Sequence, residues 1–289
     1  MVRRMYIWSK LSAACLLETW EDRFKHIPEC HFIVSAVPTR SNITLEVYCP
    51  KEKEARAIQK QYGGAVKKLK EQNWVALAPP PPGPIKIRDR LVIVAESNRK
   101  ELAKLRSLHS GRDLISVPAD MAFGTGHHAT TATVLRFIVD LAEQWRSEGR
   151  QWNLLDLGCG SAILGIAARK LGASSVWGCD FDAHAIRVAR ENAVNNDTPD
   201  LTLEVADVLK WKPQKRYELV VANIFSNILI AIFPKLVRSM KKDGVLMISG
   251  ILHTQAEDCL AAGRAAGVEF DKIVRKGRWV SAQGHLKKK

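Results

Sequence analysis

The chain has 289 residues, 46% of them apolar, without a run of about eighteen uncharged apolar residues, which excludes a membrane-spanning helix and predicts a soluble protein of about two domains. It carries 44 Lys and Arg against 30 Asp and Glu, and the net charge of +14 suits both a solvated basic surface and surroundings rich in polyanions such as RNA and ribosomes. Its six cysteines include no Cys-x-x-Cys pair and no His cluster accompanies them at metal-ligand spacing, so free thiols and no metal are expected, in a reducing cytoplasmic compartment. The basic amino terminus lacks the apolar core and cleavage pattern of a secretory signal.

Residues 1–78 read as a small α+β domain. Met5 to Leu11 is strand-like, Ala13 to His26 is apolar at helical spacing, and His31 to Val37 and Asn42 to Tyr48 pair as a hairpin across Pro38-Thr39-Arg40-Ser41. Lys51 to Tyr62 is a charged helix that stops at Gly63-Gly64, and a last strand is expected near Trp74-Val75.

Residues 79–113 read as a linker and crossover segment. Pro79-Pro80-Pro81-Pro82-Gly83-Pro84 is poor in amide donors and favours polyproline II, with a pivot at Gly83. Extended residues Ile85 to Val94 and a charged helix-like stretch lead onward.

From residue 114 to 289 strands alternate with helices, which needs a parallel sheet covered on both faces. Strands are expected at Asn153 to Leu157, Ser175 to Asp180, Leu201 to Val205, Glu218 to Ala222 and Val245 to Ser249. Glu269 to Lys276 and Arg278 to Gln283 are too close in sequence for a crossover and must form an antiparallel hairpin at the sheet edge.

The first of these strands runs into Asp156-Leu157-Gly158-Cys159-Gly160-Ser161-Ala162, and Asp180 closes the next strand. Glycines let the backbone turn tightly and approach a ligand, while a carboxylate at a strand end accepts hydrogen bonds from ribose hydroxyls. A dinucleotide fingerprint is not met, since its third glycine would fall at Ile163, and no Lys follows to make a phosphate-binding loop. On its own the segment fits an adenosine-type cofactor cradle and a packing turn equally. Cys159 lies in this turn, yet no base neighbours it in sequence to activate a nucleophile.

Two more motifs give the turn its meaning. Met121-Ala122-Phe123-Gly124-Thr125-Gly126-His127-His128-Ala129-Thr130-Thr131 is a small, hydroxyl-rich loop opening a helix around Thr133 to Trp145, and Val220-Val221-Ala222-Asn223-Ile224 puts Asn223 just past a strand's carboxyl end, where open α/β sheets bind ligands. With Pro84-Ile85-Lys86-Ile87, Arg90-Leu91, Gly178 to Asp182, Gly250-Ile251-Leu252 and Trp279-Val280, the chain over about two thirds of its length resembles the ribosomal protein L-eleven methyltransferase family, also called PrmA.

The resemblance implies a Rossmann-like class I S-adenosylmethionine-dependent methyltransferase domain with a C-terminal antiparallel hairpin, preceded by a small α+β domain that selects the substrate. It implies S-adenosylmethionine as cofactor, held by Thr131, Gly158, Gly160, Asp180 and Asn223, with Asn223 also at the catalytic end. The implied activity is methylation of lysine side chains and the N-terminal amine of a ribosomal protein, in the cytoplasm, with ribosomal RNA nearby and no membrane. Methylation of RNA or of another protein is the alternative, followed by a non-enzymatic RNA-binding role. Two departures from the family pattern stand out: Ala162 replaces a usual glycine, and Asn227-Ile228 replaces a Gly-Pro pair close to where the acceptor amine enters.

Overall fold

A computed structural model describes residues 6–13, 16–24, 31–36, 42–49, 51–68, 83–118, 126 and 128–287. The chain divides into two compact units, Met1–Pro79 and Pro80–Lys289.

In the first unit, β1 (Tyr6–Ala13), β2 (His31–Ala36), β3 (Asn42–Cys49) and β4 (Ala65–Lys68) form an antiparallel sheet in the order β2-β3-β1-β4, accompanied by α1 (Leu17–Phe24) and α2 (Glu52–Tyr62). The sheet has one apolar face because β3 alternates: Ile43, Leu45, Val47 and Cys49 are buried and close on Trp8, Trp20, Phe24 and Ile58. The expected pairing of β2 with β3 forms. Helix α2 stops where the glycines predict, and the indole of Trp8 donates to the Gly63 carbonyl at 2.6 Å. β4, which the residue pattern did not signal, adds to the other side of β1. The strand expected at Trp74-Val75, the Pro38-Thr39-Arg40-Ser41 turn and most of the proline segment lie outside the described residues.

The second unit opens with β5 (Ile85–Ile87), β6 (Leu91–Val94) and β7 (Asp113–Ser116), a three-stranded sheet rather than a simple extended crossover. β5 pairs antiparallel with β6, and β6 parallel with β7. Val92, Val94 and Leu114 on one face pack against Leu102 and Leu105 of α3 (Arg99–Leu108), whose N-terminus is capped by the Asn98 side chain. Ile87, Leu91, Ile93 and Ile115 on the other face join the main core.

The main sheet contains β8 (Asn153–Leu157), β9 (Ser175–Asp180), β10 (Thr202–Val205), β11 (Tyr217–Asn223), β12 (Met240–Leu252), β13 (Val268–Lys276) and β14 (Trp279–Leu286) in the order β10-β9-β8-β11-β12-β14-β13. The strands from β10 to β12 are parallel, and β14 and β13 close the edge as the expected antiparallel hairpin. Successive residues of a strand face opposite sides, so Leu154 and Val221 enter one core beneath α4 (Ala129–Ser147), α5 (Ile163–Lys170) and α6 (Ala183–Asn195). Leu155, Val220 and Ala222 enter a second core under α7 (Ser226–Ser239) and α8 (Ala256–Ala265). Strand order reverses between β8 and β11, and the crevice at their carboxyl ends is where such sheets take ligands.

Candidate functional site

The turn after β8 is tied directly to β9. The amides of Gly158 and Cys159 both donate to the Cys179 carbonyl, at 2.8 and 2.9 Å, and the Gly160 amide donates to Asp180 Oδ2 at 3.0 Å. The other carboxylate oxygen of Asp180 accepts from the Asp182 amide at 3.1 Å. A carboxylate has about four lone-pair sites, so these two bonds orient Asp180 and leave acceptor capacity for a ligand.

Glycine is required at position 158 by conformation and by space. Its φ is +75°, and a β-carbon there would overlap Cγ2 of Ile224. The backbone of the same isoleucine is crowded as well: a β-carbon on Gly250, at φ +83°, would lie 2.6 Å from the Ile224 carbonyl oxygen. Gly250 sits in the register shift where β12 pairs with β14. The Asn223-Ile224 segment is thus clasped between two glycines, which accounts physically for both motifs. Ala162, at the start of α5, has φ +61°, the left-handed conformation that costs a non-glycine residue about 1–2 kcal/mol.

Asn223 ends β11 and Thr131 lies in the first turn of α4, and the Asn223 amide donates to Thr131 Oγ1 at 3.4 Å across 92 positions of sequence. Thr131 is fully buried, and Asn223 Oδ1 is a buried acceptor with no hydrogen-bond partner among the described residues. An unmet acceptor of this kind costs about 1–3 kcal/mol and is expected where a ligand donor completes it. The structure therefore brings Thr131 and Asn223 together, and separately Gly158, Gly160 and Asp180, all on one rim of the sheet. Of the loop before Thr131, residues 119–125 and His127 lie outside the described residues.

Sequence reasoning gave Asp156 no role, although a carboxylate between Leu155 and Leu157 in an apolar strand is itself a signal. Asp156 is 1% exposed, and neither side-chain oxygen has a hydrogen-bond partner among the described residues. Burial first, then the charge of Asp180, push its carboxyl up to about 7, against an opposing pull from the Gly165 backbone. Burial also raises the Cys159 thiol well above its ordinary range, with Asp156 and Asp180 adding to the effect, which favours the neutral thiol at this buried position. His128 precedes α4 with its ring 5.1 Å from that of Trp279, and burial followed by the Arg278 charge lowers its pKa. Among the described residues no cluster of three or more His, Cys, Asp or Glu could hold a metal ion, and no helix is long and apolar enough to cross a membrane.

The rim fits an adenosine-type sulfonium donor: a carboxylate held by two amides, side-chain-free glycine backbone, and an unmet acceptor beside a hydroxyl. Comparison with known proteins points the same way. A family model described as ribosomal protein L11 methyltransferase (PrmA) matches residues 18–287. A ribosomal protein L11 methyltransferase of Polynucleobacter necessarius subsp. necessarius is 35% identical over 68% of this chain and 56% of its own length. One from Caldanaerobacter subterraneus subsp. tengcongensis is 33% identical over 75% of this chain and 65% of its own length. The chain thus spans little more than half to two thirds of these relatives. The crystal structure of a ribosomal protein L11 methylase from Lactobacillus delbrueckii subsp. bulgaricus superposes with a TM-score of 0.58 and 28% identity, covering 71% of this chain and 99% of that one.

Proposed function

Because the chain belongs to the ribosomal protein L11 methyltransferase (PrmA) family, we propose that it is an S-adenosylmethionine-dependent N-methyltransferase acting on lysine or N-terminal amines of a ribosomal protein in the cytoplasm, with the first unit choosing the substrate. The observation that carries this reading is the unmet buried acceptor of Asn223 at the end of β11, set across the topological switch from the Gly158–Gly160 turn and Asp180.

S-adenosylmethionine, when bound, supplies a methyl group on a positively charged sulfur that is open to direct displacement. Asp180 accepts the two ribose hydroxyls through its remaining lone pairs, a charge-assisted contact. Gly158 and Gly160 let backbone meet the donor without an intervening side chain. The Thr131 hydroxyl and the Asn223 side chain line the reacting end. Asn223 Oδ1 takes an N–H of the acceptor amine and aligns the nitrogen lone pair for attack, so that the barrier falls through orientation. No covalent enzyme intermediate is needed.

The acceptor must be neutral when it reacts. At pH 7 a lysine of pKa ~10.4 costs roughly 4.6 kcal/mol to deprotonate, and an α-amine of pKa ~7.8 about 1 kcal/mol. Excluding water from the amine at Asn223 offsets part of the lysine cost, because desolvation disfavours the charged ammonium.

The test is transfer of label from S-adenosylmethionine to isolated ribosomal protein L11 of the same host, located by peptide mass spectrometry, with the full chain and with residues 79–289 alone. The proposal predicts methylated amines with the full chain only, and donor binding by both. Absence of label in the protein with the full chain overturns the activity, and equal transfer by the truncated chain overturns the role of the first unit.

A further inference from the structure

The second unit carries a basic cleft that the methyl-transfer reading does not use. It is about 630 Å³, within the ~300–1,000 Å³ typical of binding pockets, and is formed by residues 209–216 of the loop between β10 and β11 together with Lys235 and Arg238 of α7. Six of its ten lining residues are Lys or Arg, and none is Asp or Glu. Lys235 is anchored by donating to the Val208 and Leu209 carbonyls, and Lys210 lies 3.8 Å from Asp207. Lys212, Lys215 and Arg216 are exposed, and none of them makes a salt bridge among the described residues. Trp211 also lines the cleft, and its ring stacks on that of Trp177 at 5.4 Å and 26°, which fixes an aromatic group among the cations.

The cleft is remote from the rim that holds Asn223. Helix α7 begins three residues after Asn223, and Arg238 lies one residue before its end, so roughly 18 Å of helix at about 1.5 Å per residue separates its first turn from Arg238.

We propose that this cleft is a docking site for single-stranded RNA, taking two or more successive phosphates on Lys212, Lys215, Arg216 and Arg238 with a base against Trp211. Gathering this many like charges in one concavity is unfavourable unless a polyanion shares it, and a nucleic-acid strand whose phosphates are neutralised there releases its own condensed cations, which drives binding. The pairing of cations with an ordered aromatic ring is the chemistry of single-strand recognition. A loop and a helix wall the cleft, so it presents no free strand edge to an acidic peptide, and its concave shape does not lie flat on a bilayer.

The test is fluorescence anisotropy of the full chain with a labelled oligouridylate across a salt series. Lys212→Glu/Arg216→Glu is compared with Arg99→Glu/Lys100→Glu, a pair of exposed cations on α3 that alters net charge equally. The expected result is at least ~10-fold weaker binding for the cleft variant, and a salt slope lower by about 1.4 for two lost phosphate contacts on a single strand. The α3 variant is expected to stay within about threefold of wild type. Lys212→Gln/Arg216→Gln serves if the charge reversal disturbs folding, as judged by circular dichroism. Equal weakening by the cleft and α3 variants, or no RNA binding by wild type, overturns the site. Stronger retention on phosphatidylserine vesicles than on RNA overturns the partner. Methyl transfer to isolated substrate protein is expected to be unchanged in the cleft variant; its loss would make the cleft a protein-docking surface and overturn the proposal, whereas failure of wild type to methylate bears only on the proposed function.

Discussion

The Cγ2 atom of Ile224 fills the space that any side chain on Gly158 would need, so the turn after β8 and the segment after β11 are fitted to each other at the crevice. Gly158→Ala must move Ile224 and hold alanine at a φ near +75°. The expected loss is about 3 kcal/mol, combining left-handed strain with overpacking. Chemical denaturation measures it, and Gly158→Ala should cost less in an Ile224→Ala background than in wild type, recovering the overpacking part of the loss. No recovery would mean that backbone strain alone carries the cost.

Asp180→Asn keeps one acceptor oxygen toward the Gly160 or Asp182 amide but removes the charge that the proposed donor contact offers to the ribose hydroxyls. Donor affinity should fall by about 2 kcal/mol, or ~30-fold, with the fold retained. Alanine at this position would also leave two amides without their partner, so it confounds binding with stability. Calorimetry on the asparagine variant that returned wild-type affinity would remove Asp180 from the donor site.

Asp156 makes stability depend on pH in a direction opposite to that of an ion-paired carboxylate. Its folded-state pKa of about 7 exceeds the ordinary 3.8, so between these values the folded chain holds a proton that the unfolded chain has lost. Stability contributed by this proton is present at low pH and is lost as pH rises to about 7, then levels off. Asp156→Asn cannot ionise, so its stability relative to wild type should grow between about pH 4 and pH 8, by an amount on the order of 4 kcal/mol. Thermal melts of both proteins across that range check this. A constant difference would show that Asp156 titrates normally.

Much of this was readable from residue pattern because the signals are local. The alternation of β3, the glycines after α2 and the short link between β13 and β14 each act over a few residues. Distant pairings were not readable. β4 adds to β1 across more than fifty positions, and β6 pairs with β7 after a helix, so neither had a neighbour in sequence to announce it. At the site, the glycine turn, Asp180 and Asn223 stood out as motifs, whereas the Thr131–Asn223 bond, the clasp on Ile224 and the raised pKa of Asp156 depend on contacts made only when the sheet assembles.

Asn223→Ala should lower turnover by about 100-fold, on the order of 3 kcal/mol, and by more than it weakens donor binding, because an acceptor that aligns the amine acts mainly in the transition state. Single-turnover kinetics at saturating donor and substrate separates the two effects. A wild-type rate would reduce Asn223 to a strand-end residue that holds Thr131.

The most direct measurement of the central claim is incubation of the full chain with methyl-labelled S-adenosylmethionine and ribosomal fractions of its own host, followed by separation of protein from RNA. The account predicts label on amines of one large-subunit protein and a loss of label with Asn223→Ala. Label confined to RNA, or none in either fraction with a folded protein that binds the donor, would contradict it.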